Sequence, residues 1–188
     1  MRVEVTPAII LAAGSSKRMG QPKQLIRFAG ETLLERTVRI ANEAGCDPVI
    51  VVLGASHSEI LAQSKLRQAV PVINSAWHEG MASSVRRGLE AIPDSARGVL
   101  LLTCDQPAIS AGHLRNLIAT RVLTASSYAH RRGVPAYFPA SMFADLNKLR
   151  GDTGARALLY TAPTIDLPHG ELDIDTPEDL QNFEALFD

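Results

Sequence analysis

The chain of 188 residues predicts a three-layer α/β/α fold around a mainly parallel sheet. Two observations carry this. Four short runs, at 8–11, 48–53, 69–73 and 98–103, are almost wholly apolar, as strands buried on both faces must be. Between and after them, residues 32–44, 80–91 and 111–122 repeat apolar side chains at helical spacing, so strand and helix alternate. Ligands of open sheets bind beyond the carboxyl ends of the strands. The residues that follow each run are Ala13-Gly14, Gly54, Asn74 and Asp105. Those are the first candidates for chemistry.

The first run leads into Leu11-Ala12-Ala13-Gly14-Ser15-Ser16-Lys17-Arg18-Met19-Gly20-Gln21-Pro22-Lys23. Small residues let a ligand approach the backbone, and Gly14 can adopt dihedrals that alanine resists. Successive amides in such a turn form an anion-binding concavity, to which Lys17, Arg18 and Lys23 add full charges. A triphosphate cradle is one reading; a strand-to-helix turn with solvated cations is the other. Two commoner phosphate loops are excluded. Five residues separate Gly14 from Gly20, with Gln21 next, which is no P-loop, and G-x-G-x-x-G is absent.

Residues 25–28 form a short apolar piece, and Ala29-Gly30-Glu31 a turn. In 32–44 the stripe is Leu33, Leu34, Val38 and Ile40, with Gly45 as the stop. Ser56 or Ser58 caps the next helix, expected to run to about residue 66. In 80–91, Met81, Val85 and Leu89 share a face. Beyond residue 123 the pattern weakens, and 128–138 predicts two strands about an Arg131-Arg132-Gly133 turn at an antiparallel edge. No repeat or linker divides the chain, which predicts one domain over 1–188.

Hydrophobic residues make up 46% and charged ones 21%, with a formal net charge of -1. Nothing there favours non-specific binding to nucleic acid or membrane. The two cysteines, Cys46 and Cys104, are too few for a disulfide framework, and Cys104 reads as a small buried hydrophobe. No apolar run approaches the ~20 residues of a membrane span, and residues 1–6 do not read as a signal peptide. The expected compartment is the cytoplasm. No cluster has transition-metal spacing, so His57, His78, His113, His130 and His169 are expected at the surface or in packing; His57 alone, just after a buried strand, has a second reading beside a nucleobase.

Asp105 ends an apolar strand in Cys104-Asp105-Gln106-Pro107. It suits a Mg²⁺ ligand or, equally, a turn aspartate. Asp173 and Asp175 point to one side of an extended segment. Thr176, Pro177 and Asp179 have the order of a helix start. In residues 74–86, Gly80 and Ser83 open a helix whose free amides suit a phosphate, or form an ordinary first turn. Trp77 is either a packing aromatic or a wall for a planar ligand. Asp152 and Arg156, in Gly151-Asp152-Thr153-Gly154-Ala155-Arg156, are an ion pair or part of an anion-binding turn.

The order of the 11–23 loop, Leu100-Leu101-Leu102-Thr103-Cys104-Asp105-Gln106-Pro107, the Gly80-Met81-Ala82-Ser83-Ser84 segment, the Gly151–Arg156 turn and Asp173-Ile174-Asp175-Thr176-Pro177 resemble one family. It is the nucleotidyltransferases that activate molybdenum cofactor, within the sugar-phosphate nucleotidyltransferase superfamily. The resemblance implies the Rossmann-like fold of nucleotide-diphospho-sugar transferases. It implies Mg²⁺-dependent transfer of a nucleoside monophosphate, CMP from CTP, to the phosphate of molybdopterin, with release of pyrophosphate. In that picture Leu11, Ala12, Ala13, Gly14, Ser15, Lys17, Arg18, Lys23, Gly54, Asn74, Gly80 and Ser83 surround the nucleotide. Lys23, Arg18 and Asp105 are catalytic, and Asp105 and Asp175 hold the metal, with Asp175 preferred to Asp173. The implied partner is a molybdoenzyme of the xanthine dehydrogenase type. Leu11-Ala12-Ala13-Gly14 is the cytidylyltransferase form; related guanylyltransferases read Leu-Ala-Gly-Gly. Gly133-Val134-Pro135 departs from a family element whose middle residue is commonly histidine, which leaves the acceptor open. The alternatives are a non-catalytic cofactor-binding maturation factor, a nucleotidyltransferase acting on another phosphorylated small molecule, and a glycosyltransferase, whose usual Asp-x-Asp is missing at Asp105-Gln106-Pro107.

Overall fold

The computed structural model describes residues 5–185. Strand β1 (Ala8–Ala12) is buried along its whole length and leads into the cationic loop. A small hairpin follows, β2 (Arg27–Phe28) with β3 (Glu31–Thr32), and then helix α1 (Leu33–Glu43). Helix α1 starts where it does because Thr32 and Glu35 form a capping box, each side chain accepting from the other's backbone N–H. Next come β4 (Val49–Leu53), α2 (His57–Gln63), β5 (Val70–Ile73), α3 (Met81–Leu89), β6 (Gly98–Thr103) and α4 (Ala111–Thr120). The remainder is β7 (Thr124–Tyr128), β8 (Arg131–Pro139), α5 (Phe143–Lys148), β9 (Thr164–Asp166) and α6 (Pro177–Glu184).

Seven strands form one sheet in the order β5-β4-β1-β6-β8-β7-β9. Strands β5, β4, β1 and β6 are parallel, as the apolar runs predict. Their alternate residues feed two separate cores. Ile10, Val51, Leu100 and Leu102 pack with Leu34 and Val38 of α1, Ile60 of α2 and Leu114 and Leu117 of α4. Ile9, Leu11, Ile50, Val52 and Leu101 pack instead with Val85 and Leu89 of α3 and Leu146 of α5. That period of two is what makes the fold three-layered. A third cluster of Met19, Ile26, Leu33, Ile174 and Phe183 ties α6 to the first loop and hairpin. No helix among the described residues is long and apolar enough to cross a membrane.

The fold departs from expectation in three places. The hairpin turns at Ala129-His130, both at positive φ, and not at Arg131-Arg132-Gly133, which lies inside β8. Gly133 is needed there because a Cβ would meet the Tyr128 hydroxyl at 2.1 Å. Strand β8 is interior, antiparallel to both β6 and β7, while the edge strand is β9, parallel to β7. Helix α2 ends at Gln63, and Ser56 occupies its N-cap at φ 56 without a capping bond from its side chain. Helix α6 starts as expected, with a Thr176–Asp179 capping box and Pro177 in the first turn.

Candidate active site

The loop after β1 is held from beneath by Gln24, a fully buried side chain in the turn Lys23–Leu25. Its Nε2 donates to the Ala12 carbonyl at 2.7 Å and to the Gly14 carbonyl at 3.2 Å. Lys23 N donates to Ser16 Oγ at 3.0 Å, closing the loop on itself. The left-handed positions are Ser16 (φ 50) and Gly20 (φ 73); Gly14 is not among them. An added Cβ at Gly14 would meet nothing within 4 Å, so the protein itself does not require glycine there.

Lys23 stands at the floor of a cavity of about 320 Å³ lined by residues 11–15, Gln24, Trp77, Gly80, Met81, Thr103, Asp105 and Asp152. Its ammonium is shared between two carboxylates from distant parts of the chain. It hydrogen-bonds Asp105 Oδ2 closely and donates to Asp175 Oδ1 at 3.1 Å. Asp105 arrives there because β6 ends beside β1. Asp175 arrives because Ile174 N donates to the Asp105 carbonyl at 2.8 Å, docking the 172–175 segment on the end of β6. On the far side, Arg18 Nη2 donates to Asp175 Oδ2 at 2.6 Å. Burial would lower the Lys23 pKa, but the charge and hydrogen bond of Asp105, aided by Asp175, outweigh it and hold the ammonium well above its usual range. Asp105 and Asp175 therefore aim oxygens at one point where a cation already sits. Two hard oxygen donors of this kind suit Mg²⁺ or Mn²⁺. Lys17 and Arg18 line a smaller adjoining cavity of about 210 Å³ with Ser15, Ser16, Lys23 and Asp175.

A second cavity, of about 760 Å³, opens on the other side of Met81. It shares Leu11, Met81 and Asp152 with the first. Its floor is apolar (Leu101, Val134, Ala155, Leu159), and Arg131, Arg132 and Arg156 stand around it. The Arg131 guanidinium lies 5.6 Å over the Tyr128 ring. Tyr160 stands at the rim, 82% exposed. Asp173 lines this cavity; desolvation of its carboxyl, then the Asp105 and Asp175 charges, push it up to about 6 although the residue keeps contact with water.

Residues 8–166 match the MobA-like NTP transferase domain. The chain belongs to that family. It is a nucleotidyltransferase, in keeping with its solved neighbours. A relative called nicotine blue oxidoreductase, from Paenarthrobacter nicotinovorans, is 33% identical over 95% of this chain and 93% of its own. A probable molybdenum cofactor guanylyltransferase from Opitutus terrae is 35% identical over 57% of this chain and 52% of its own. Rv0371c from Mycobacterium tuberculosis H37Rv superimposes with a TM-score of 0.86 at 28% identity, over 97% of this chain and 98% of that one. Rv0371c has also been solved in complex with manganese; that structure matches with a TM-score of 0.78 at 30% identity, covering 96% and 97% of the two chains.

Of the residues expected around the nucleotide, Leu11, Ala12, Ala13, Gly14, Ser15, Lys23 and Gly80 line the first cavity of this transferase, and Lys17 and Arg18 its annex. Three do not. Asn74 is buried and donates to Ser83 Oγ at 2.8 Å and Ser84 Oγ at 3.0 Å, so Asn74 and Ser83 lock β5 to α3 from behind the cavity. Gly54 lines neither the first cavity nor its annex; it is the notch in which Trp77 sits. Met81 is 44% exposed, off the buried face expected for it, because it forms the partition between the cavities. Cys104 is buried as expected, and burial pushes its thiol up to about 12, which removes it as a nucleophile. Sequence reasoning missed Gln24, Tyr128, Tyr160 and the role of Arg131 as cavity lining. Of these only Gln24 adjoins a motif, directly after Lys23 of the cationic loop.

Proposed function

We propose that this nucleotidyltransferase moves CMP from CTP to the terminal phosphate of molybdenum cofactor and releases pyrophosphate. The observation that supports this best is that two cavities meet at Leu11, Met81 and Asp152, beside the Lys23–Asp105–Asp175 cluster. One is small, with the Lys23 ammonium at its floor and Lys17 and Arg18 in its annex; the other is larger, with an apolar floor and three arginines. The first suits a nucleoside triphosphate and the second a flat acceptor bearing a phosphate. An acceptor phosphate oxygen attacks the α-phosphorus as the bond to the β-phosphate oxygen breaks, and pyrophosphate carries the displaced charge away. No protein nucleophile is needed, so catalysis is positioning and charge stabilisation.

Lys17 and Arg18 hold the outer phosphates, and Lys23 follows the charge that builds on the α-phosphate. A divalent ion on Asp105 and Asp175, Mg²⁺ in this reading, would neutralise phosphate charge; the manganese complex of Rv0371c supports a divalent ion in this fold. Arg131 and Arg156 take the acceptor's phosphate. A molybdoenzyme of the xanthine dehydrogenase type is the proposed recipient of the product.

The choice of CTP rests on Ala13, whose methyl occupies room that glycine would leave to a purine. One methyl group discriminates by only ~1–3 kcal/mol, so the preference is partial. The test is competition between CTP and GTP at equal concentration with molybdenum cofactor and Mg²⁺, reading pyrophosphate and the mass of the adduct. The CMP adduct should dominate, and Ala13→Gly should narrow the ratio without reversing it. Faster GMP transfer by the parent overturns the base assignment. No pyrophosphate with either nucleotide overturns the acceptor.

A further inference from the structure

Trp77 is the single tryptophan of the chain, and the chemistry above makes no use of it. It lies in the turn Trp77–Glu79, between β5 and α3. A Cβ on Gly54 would come within 2.6 Å of Trp77 Cβ and 2.7 Å of Trp77 Cγ and of the Ala13 carbonyl oxygen. That carbonyl is itself engaged, accepting from Ala55 N at 3.1 Å. The ends of β1 and β4 and the root of the indole are thus pressed together, and a side chain at residue 54 would prise them apart.

The indole is fixed at its root, yet it belongs to none of the three apolar clusters. Its only ring neighbour among the described residues is His78, edge-on at 6.3 Å between centroids. The half-buried ring instead lines the first cavity, next to Ala13 and Gly14. A packing role would bury it among aliphatic side chains. A rigid aromatic held at the mouth of a loop made of small residues has the form of a stacking platform.

We propose that Trp77 is the wall on which the nucleobase stacks, and that Gly54 is glycine in order to seat it. This rests on the nucleotidyltransferase reading but not on the acceptor or on CTP. Stacking tolerates any base, so Trp77 supplies affinity for cytosine and guanine alike while Ala13 sets the choice between them.

Emission from the lone tryptophan reports the contact directly. Titrating the unmodified chain with CTP, GTP and inorganic tripolyphosphate, each with Mg²⁺, should quench emission with both nucleotides and leave it unchanged with tripolyphosphate. Equilibrium dialysis with labelled nucleotide measures binding independently. By dialysis, Trp77→Ala should weaken CTP and GTP by similar factors, between about fivefold and a hundredfold, while Trp77→Phe stays within about threefold of the parent. Quenching by tripolyphosphate to the same extent overturns the proposal, as does bound nucleotide with unchanged emission. A Trp77→Ala loss confined to one nucleotide also overturns it. Absence of any bound nucleotide in dialysis overturns both this proposal and the function on which it rests.

Discussion

The cavity beside Lys23 stands at the ends of parallel strands, and its charges are paired with one another before any ligand arrives. The cavity beside Arg131 and Arg156 stands on an antiparallel hairpin, has an apolar floor, and holds Arg131 over a tyrosine ring. The contrast teaches where each should fail. A paired, largely buried cluster transmits the loss of one member to the others, because the remaining charge is left without its partner. An arginine at the rim of an apolar cavity contributes a local contact, and its removal is felt by whatever lies against it. Substitutions in the Lys23–Asp105–Asp175 cluster should therefore act on the rate, and those of the second cavity's arginines on acceptor affinity.

The largest expected effect is at Asp105. Asp105→Ala should lower turnover by about a thousandfold or more, through loss of charge stabilisation at the reacting phosphate. The side chain is not part of an apolar cluster. A cooperative melt and unchanged circular dichroism are therefore expected; an unfolded variant or near-parental turnover would contradict the assignment. Lys23→Ala comes next: turnover number down about a hundredfold, CTP affinity down less than tenfold, because the ammonium acts on charge that develops in the transition state. Equal losses in steady-state rate and in nucleotide dialysis would make it a ground-state contact only.

Arg156→Ala should act on the other side of the partition. We expect the KM for the acceptor to rise about tenfold while CTP binding measured without acceptor stays at the parental value. A drop in CTP affinity would erase the distinction between the cavities. The smallest effect is reserved for a site outside both. Thr32→Ala removes the α1 cap and should cost about 1 kcal/mol of stability by denaturant titration, with kinetic constants unchanged. Burial would raise the Glu35 pKa, but hydrogen bonds from the Thr32 and Lys65 backbones and the Thr32 side chain hold it below its usual value. Its contribution is thus present above the unfolded-state pKa and lost as pH falls through the folded one, so parent and Glu35→Gln should converge in stability in acid.

How much could be read in advance follows the same division. Strands β1, β4, β5 and β6 were legible because a strand buried on both faces must be a continuous apolar run. Strands β7 and β8 were legible only as an antiparallel pair with its turn misplaced, since Ser126, Ser127, Arg131 and Arg132 interrupt any such run. Gly133 misled because glycine in a polar stretch signals a turn, whereas here it makes room for the Tyr128 side chain. Likewise, a glycine after a strand reads as ligand-facing, and only the neighbouring Trp77 explains Gly54.

The chain by itself determined the parallel core, the cationic loop at the end of β1, a carboxylate at the end of β6, and the family to which these belong. Each is a local pattern: composition over a few residues decides whether a strand is buried and what chemistry follows it. Tertiary structure alone decided that Lys23, 152 residues from Asp175, sets its ammonium between Asp105 and Asp175, whose meeting the resemblance already implied. It also decided that Gln24 is buried beneath the loop, that Asn74 and Ser83 face each other away from the cavity, and that Met81 divides two cavities. Those are relations between surfaces brought together by packing, and no spacing along one strand or helix encodes which polar side chain will meet which.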